Sequence, residues 1–232
     1  MTAETAGLMT NSVNAEALNI DRARRVVLET ENMPWEDSPA VGVQRKKLER
    51  EAAESGQVSS VVRYEAGSRF SAHTHPLGEE ILVLSGVFQD EHGDYPAGTY
   101  LRNPPGTSHA PASETGCELL VKLNLFDPGD LEPVCLDTRA TPWQPGLVPG
   151  LSVMSLHSYQ TQNTALVRWA PDTQFNPHIH PGGEEIFVLE GVFEDEQGAY
   201  PKGAWLRNPS YSRHQPFTRQ GCTIFVKTGH LP

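Results

Sequence analysis

A chain of 232 residues, 38% hydrophobic and 20% charged, has room for two compact domains of about a hundred residues each. Its formal net charge is −11 and its densest basic stretch is only Arg45-Lys46-Lys47, which excludes nucleic acid and anionic membrane as expected partners. Three cysteines, Cys117, Cys135 and Cys222, offer neither an even framework nor a C-x-x-C pair, so they read as buried small hydrophobes in a reducing compartment, the cytoplasm by default.

From the N-terminus, Met1 to Asn19 is small and polar, with no basic start leading into an apolar core. No signal peptide is expected there, no apolar run of 18 residues occurs anywhere, and residues 1–23 are expected to form a flexible arm. The stretch Val43–Ser55 could hold a turn or two of helix, yet the corresponding Leu151–Asn163 reads as a strand, so it stays open. Beyond it come short apolar runs punctuated by turns. Ile81–Leu84 and Val87–Phe88 flank a glycine, His92-Gly93-Asp94 and Gln197-Gly198-Ala199 suit hairpins, and Pro96-Ala97-Gly98 and Pro104-Pro105-Gly106 break the chain on either side of Thr99–Asn103. The 19 prolines and 20 glycines are spread along the whole chain. This pattern predicts an all-β protein whose strands close into a barrel or a double sheet, which leaves few exposed edges.

The chain repeats itself. Shifted by 105 positions, His73–His109 lies over His178–His214 with 23 of 37 residues identical and no gap. Cys117 then falls on Cys222 and Lys122 on Lys227; further upstream the offset becomes 108, where Pro34-Trp35 meets Pro142-Trp143. Two domains of one fold are therefore expected, residues 24–128 and 129–232, joined at the turn-like Asp127-Pro128-Gly129-Asp130.

Each unit carries a cluster of metal-ligand residue types. In an extended His73-Thr74-His75 both imidazoles lie on one face, because strand side chains alternate with period two. Glu79-Glu80 and His109 come next, and the second unit repeats the set as His178, His180, Glu184-Glu185 and His214 at the same separations. A lone strand histidine is more often a hydrogen-bonded core residue than a ligand, but six of the nine histidines sit at duplicated, ligand-spaced positions. Neutral imidazoles with a carboxylate suit a divalent first-row metal, with Zn, Fe or Mn expected first and Ni or Co also compatible, one ion per unit. Adjacent residues face opposite sides of a strand, so only one glutamate of each pair can reach the ion.

Here the residues resemble a known family. Gly67-x5-His73-x-His75-x3-Glu79-x6-Gly86 matches the first cupin motif in full, and Gly98-x5-Pro104-x-Gly106-x2-His109 matches most of the second. Glu-Glu-Ile-x-Val-Leu-x-Gly-Val-Phe and Leu-Arg-Asn-Pro, present in both halves, are similar to the cupin domain of ChrR-type anti-sigma factors and their stand-alone relatives. The resemblance implies two tandem cupin (double-stranded β-helix, jelly-roll) barrels, and it makes Glu79 and Glu184, with the six histidines, the ligands. Three departures stand out: Ser113 and Thr218 where the family usually has Asn, Asp172 for the opening Gly of the second unit, and Tyr211 for the Gly of Pro-x-Gly.

For the other duplicated residues structural roles are the first expectation. Arg63 and Arg168 precede the histidines, and Arg63 is the one candidate catalytic residue, able to orient a substrate anion inside the barrel, although an ion pair competes with that role. Lys122 and Lys227 are read the same way, Tyr95 and Tyr200 as hairpin packing, and Trp35 and Trp143 as seals of a barrel or of the interface between units. The function expected is a metal-binding bicupin acting as a small-molecule metalloenzyme, with a dioxygenase on diketone-like or enolisable carbonyl substrates as the specific form. The alternative is a ChrR-like zinc-binding sensor without turnover; with about 23 residues ahead of the first repeat, the helical sigma-binding domain that the resemblance implies is not expected. Cupins commonly dimerise by strand exchange, which two fused barrels can satisfy internally, so a monomer or homodimer is expected.

Overall fold

The computed structural model describes residues 17–52 and 56–232. Apart from one 3-10 turn at Thr30–Asn32, the regular elements of these residues are all strands, and no helix among them is long and apolar enough to cross a membrane. They build two jelly rolls, each from a ten-stranded sheet system and a separate two-stranded ribbon, as the two tandem cupin barrels require. In the first, the sheet runs Val134–Asp137, Thr99–Asn103, Glu79–Asp90, Cys117–Leu123, Val58–Tyr64, Val43–Arg50, Glu36–Asp37. In the second it runs Val26–Glu29, Ala204–Asn208, Glu184–Asp195, Cys222–Thr228, Gln162–Trp169, Leu151–Tyr159, Gln144–Pro145.

Each unit donates its first strand to the other. Val26–Glu29 pairs antiparallel with Ala204–Asn208, and Val134–Asp137 pairs with Thr99–Asn103. Strand exchange thus occurs inside one chain, and the repeat units of the sequence are not the barrels of the structure.

Strand alternation sorts the apolar residues into three cores. Val43, Val62, Tyr64, Ile81, Val83 and Leu119 fill the first barrel, and Leu151, Trp169, Ile186, Val188 and Ile224 fill the second. The opposite faces of the same strands meet between the barrels, where Leu48, Val61, Leu82, Tyr100 and Leu120 pack with Met154, Leu166, Phe187, Trp205 and Phe225. Each such side chain fully buried contributes about 1.5–3 kcal/mol, so the two barrels share a core rather than touch at a surface.

The strand Glu79–Asp90 serves both layers of its jelly roll: its start pairs with Cys117–Leu123 and Thr99–Asn103, its end with Gly93–Pro96 and Ala112. The bend is at Gly86, with φ +70 and a hypothetical Cβ only 2.0 Å from the Gly116 carbonyl oxygen, so only glycine fits. Gly191 repeats this geometry against Gly221.

One open reading closes here and two expectations change. Val43–Arg50 is a strand. Cys117 and Cys222 are buried, but Cys135 is exposed, because Val134 and Leu136 take the inward positions of its strand. The flexible arm does not extend through residue 23: Leu18 exchanges backbone hydrogen bonds with Arg50, and Arg207 donates to the carbonyl oxygens of Asn19 and Asp21. Residues 1–16 of that arm lie outside the described residues.

Candidate metal centres

In the first barrel the ribbon His73–Thr74 with Ser108–His109 places His73 directly opposite His109. His75 comes two residues on, and Glu79 opens the long strand on its barrel-facing side. The ring centroids of His73, His75 and His109 are 4.9, 5.2 and 4.7 Å apart, and one donor atom from each, with a Glu79 oxygen, forms a set lying within 4.8 Å of one another. Glu79 Oε2 is 3.5 Å from His75 Nε2 and 3.3 Å from His109 Nε2. Ligands about 2.1 Å from one ion stand roughly 3–3.5 Å from each other.

The outer nitrogens explain why the inner ones converge. His73 Nδ1 is 2.9 Å from the Ser71 carbonyl oxygen, His109 Nδ1 3.2 Å from Asp90 Oδ2, and His75 Nδ1 3.4 Å from Thr107 Oγ1. With Nδ1 occupied, Nε2 is the free donor. His75 Nε2 and His109 Nε2 are buried without a hydrogen-bond partner, a costly state for polar atoms unless an ion receives their lone pairs. Burial, reinforced by His109 and His73, lowers the His75 pKa to about 3; burial also lowers that of His109, against the opposing Asp90 hydrogen bond, and both shifts favour the neutral ring that a metal takes. Burial pushes the Glu79 carboxyl up to about 7, opposed by the 2.9 Å hydrogen bond from Asn103 Nδ2.

The second barrel repeats the arrangement less closely. His178, His180 and His214 bring donor atoms within 4.8 Å of one another, with His180 Nε2 and His214 Nε2 2.9 Å apart. Glu184 lies 3.4 Å from His180 and 3.6 Å from His214 but outside that mutually close set. Arg25, next to the exchanged strand, sits behind this site. It donates to Asn208, which itself holds Glu184, and to Tyr200, and lies 3.2 Å from Asp195 Oδ2. Asp195 stands 3.9 Å from His214 Nδ1, where its counterpart Asp90 stands 3.2 Å from His109. Beside the strand exchanged into the first barrel, Pro133 takes the place of Arg25 in the repeat, so this competition belongs to the second barrel alone.

The interiors differ as well. A cavity of about 110 Å³ in the first barrel is lined by Arg45, Ser60, Tyr64, His73 and Glu79 among apolar side chains, and it shares Arg45, Phe70 and His73 with a wider mouth of about 580 Å³. Strand register places Val153, Ala165 and Trp169 of the second barrel where the first has Arg45, Ser60 and Tyr64.

Arg63 does not enter the barrel, and the expectation that it orients a substrate beside the histidines is corrected. Its neighbours Val62 and Tyr64 face inward, while Arg63 projects from the other face, 2.7 Å from Glu118 and 4.0 Å over the Trp35 ring. Arg168 lies over Trp143 in the same way, at 4.1 Å. The arginine inside is Arg45, missed in the sequence because the triplet Arg45-Lys46-Lys47 was weighed only as the densest basic stretch. Asp90 and Asn103 were missed too, although the repeat carries both, as Asp195 and Asn208.

The second glutamate of each pair is an interface residue. Lys122 reaches Glu185 at 2.6 Å, and Lys227 reaches Glu80 at 3.1 Å. Burial raises the Glu80 pKa, but Lys227, Tyr100, Lys122 and Arg102 together hold it down at about 2. Tyr95 stacks on Phe88, Tyr200 packs at a tilt against Phe193, and the two hydroxyls donate to Asp90 and Asp195. Ser113 and Thr218 donate to the carbonyl oxygens of Val87 and Val192, tying the short strands Ala112–Ser113 and Phe217–Thr218 to the long strands.

The family profile of the ChrR cupin-like domain matches this chain twice, over residues 23–127 and 131–232. The chain belongs to that family, as a bicupin. Among solved structures it is similar to a candidate dioxygenase from Nostoc punctiforme (TM-score 0.75, 18% identity, 88% of this chain and 82% of that one). It is also similar to salicylate 1,2-dioxygenase from Pseudoaminobacter salicylatoxidans (TM-score 0.63, 11% identity, 94% and 83%) and to oxalate decarboxylase from Lactobacillus farciminis (TM-score 0.58, 16% identity, 89% and 86%). At these identities the likeness shows the fold. No curated protein matches the chain.

Proposed function

We propose that this bicupin is a small-molecule metalloenzyme whose chemistry resides in the first barrel, with His73, His75, Glu79 and His109 holding a divalent Fe or Mn. The observation that carries this reading is the pair of buried Nε2 atoms without hydrogen-bond partners, on His75 and His109, that converge with Glu79 and His73, two residues of the cavity wall. His178, His180, Glu184 and His214 form a second, weaker site. A bound ion of this type supplies Lewis-acid polarisation of a carbonyl or enol oxygen and, for Fe or Mn, chemistry with dioxygen. The chain's own residues do the rest. Arg45 and Tyr64 line the cavity and orient a polar substrate end, while Val62, Ile81, Phe88 and Leu119 exclude water from it. That lining suits a diketone or another enolisable carbonyl compound in the cytoplasm, turned over by a monomer or homodimer.

The test is oxygen uptake with small β-diketones by protein carrying stoichiometric Fe or Mn. His75→Ala is expected to abolish at least about 99% of turnover, and His180→Ala to cost less than about threefold. Equal losses, or the larger loss from His180→Ala, would assign the chemistry elsewhere. A second reading, a zinc-holding sensor, is favoured by the fourth protein donor, Glu79, since four such ligands can close a tetrahedral site. Tightly held Zn and no turnover would favour it.

A further inference from the structure

Between the barrels, on the strand faces turned away from both histidine clusters, lies a cavity of about 360 Å³. Its lining is mixed: Leu82, Leu84 and Val61 from one barrel and Leu166, Phe187 and Leu189 from the other make an apolar wall, and Thr30, Arg63, Ser85 and Thr138 are among the polar residues that complete it. Lys46 and Trp35 also line it.

Lys46 is the unusual residue. It is only 7% exposed, and lysines so buried almost always have a counter-ion. Here the ammonium sits 4.4 Å over the Trp35 ring, and among the described residues no carboxylate lies within 4.0 Å of it. The acidic groups around the cavity are engaged or peripheral: Glu118 is held by Arg63 at 2.7 Å, and Glu31 and Glu190 are exposed, as is Lys202.

The repeat shows what this position otherwise holds. Lys46 pairs with Val61 just as Met154 pairs with Leu166 in the other half, and Met154 is 1% exposed in the shared core. One copy of a core position thus carries a thioether that completes the packing, and the other carries a cation beside a cavity.

We propose that this inter-barrel cavity is a binding site for a small amphipathic monocarboxylate, its anionic head on Lys46 and its apolar body along Leu82, Leu166 and Phe187. The volume falls in the usual range for small-molecule sites, about 300–1,000 Å³. The site is independent of the metal clusters.

Octanoate is the probe, titrated calorimetrically into the metal-loaded 232-residue chain. One octanoate is expected to bind per chain. Lys46→Met, which copies Met154, and Lys46→Gln, which keeps a long polar side chain, should each weaken binding at least about tenfold, as loss of a charge-assisted hydrogen bond requires. His75→Ala should change it less than about twofold, and octanol, with no charge, should bind at least about tenfold more weakly. Unchanged affinity in Lys46→Gln, loss of binding in His75→Ala, or no binding up to roughly 10 mM would overturn the proposal.

Discussion

Asp172 and Tyr211 stand where the first barrel has Gly67 and Gly106, and they keep the left-handed backbone of those glycines, with φ 59 and 60 against 79 and 86. The second barrel therefore carries strain that the first avoids. Tyr211 is 73% exposed, so its ring contributes little packing in return. Tyr211→Gly should stabilise the protein by about 0.5–1 kcal/mol after the entropy of the extra glycine is counted, seen as a Tm higher by about 2 °C; a lower Tm would show that the ring makes a contact that matters. At this scale the candidate metal-binding side chains were legible because spacing and duplication single them out. Arg63 was not, because Val58–Tyr64 reads Val-Ser-Ser-Val-Val-Arg-Tyr, buried on both faces, and such a strand has no alternation from which to assign a side chain's direction.

Among the elements, the exchanged strands are the feature least visible in the sequence. Val26–Glu29 and Val134–Asp137 each alternate inward and outward, which fixes a strand but not the sheet it joins. Internal exchange could be anticipated only as a possibility. The partner of the first strand in residues 24–128 alone would be missing, since Val26–Glu29 pairs with Ala204–Asn208. That fragment is expected to associate with a second copy by reciprocal exchange, giving a dimer mass in light scattering. A folded, stable monomer would show that the strand can close onto its own barrel. The uncertain stretch at Val43 became a strand for a tertiary reason: it completes the sheet beside Val58–Tyr64 and sends Leu48 into the shared core.

For the whole molecule, buried ion pairs tie the halves together in register. Asp130, in the segment joining the repeats, is 2.7 Å from Arg102 of the first barrel and 3.0 Å from His157 of the second. Burial pushes its carboxyl upward, but Arg102 and His157 together hold it below the ordinary value of 3.8. A depressed folded-state pKa gives stability that is present above the unfolded value and lost as pH falls through the folded one. The Tm gap between wild type and Asp130→Asn should therefore be full at neutral pH and shrink as the pH drops below about 4. A gap independent of pH would mean that the charge of Asp130 is not what binds the halves. None of these pairings could be read from the sequence, because each joins residues from different parts of the repeat, and only the assembled fold brings them into contact.

Metal held in the two histidine clusters is the central claim, and metal content tests it most directly. Protein dialysed after exposure to Fe, Mn or Zn, measured by plasma mass spectrometry, should retain close to one ion per intact cluster. His75→Ala should remove one tightly held equivalent, and His180→Ala the weaker one. Metal-free wild-type protein, or a His75→Ala variant that retains the full wild-type complement, would contradict it.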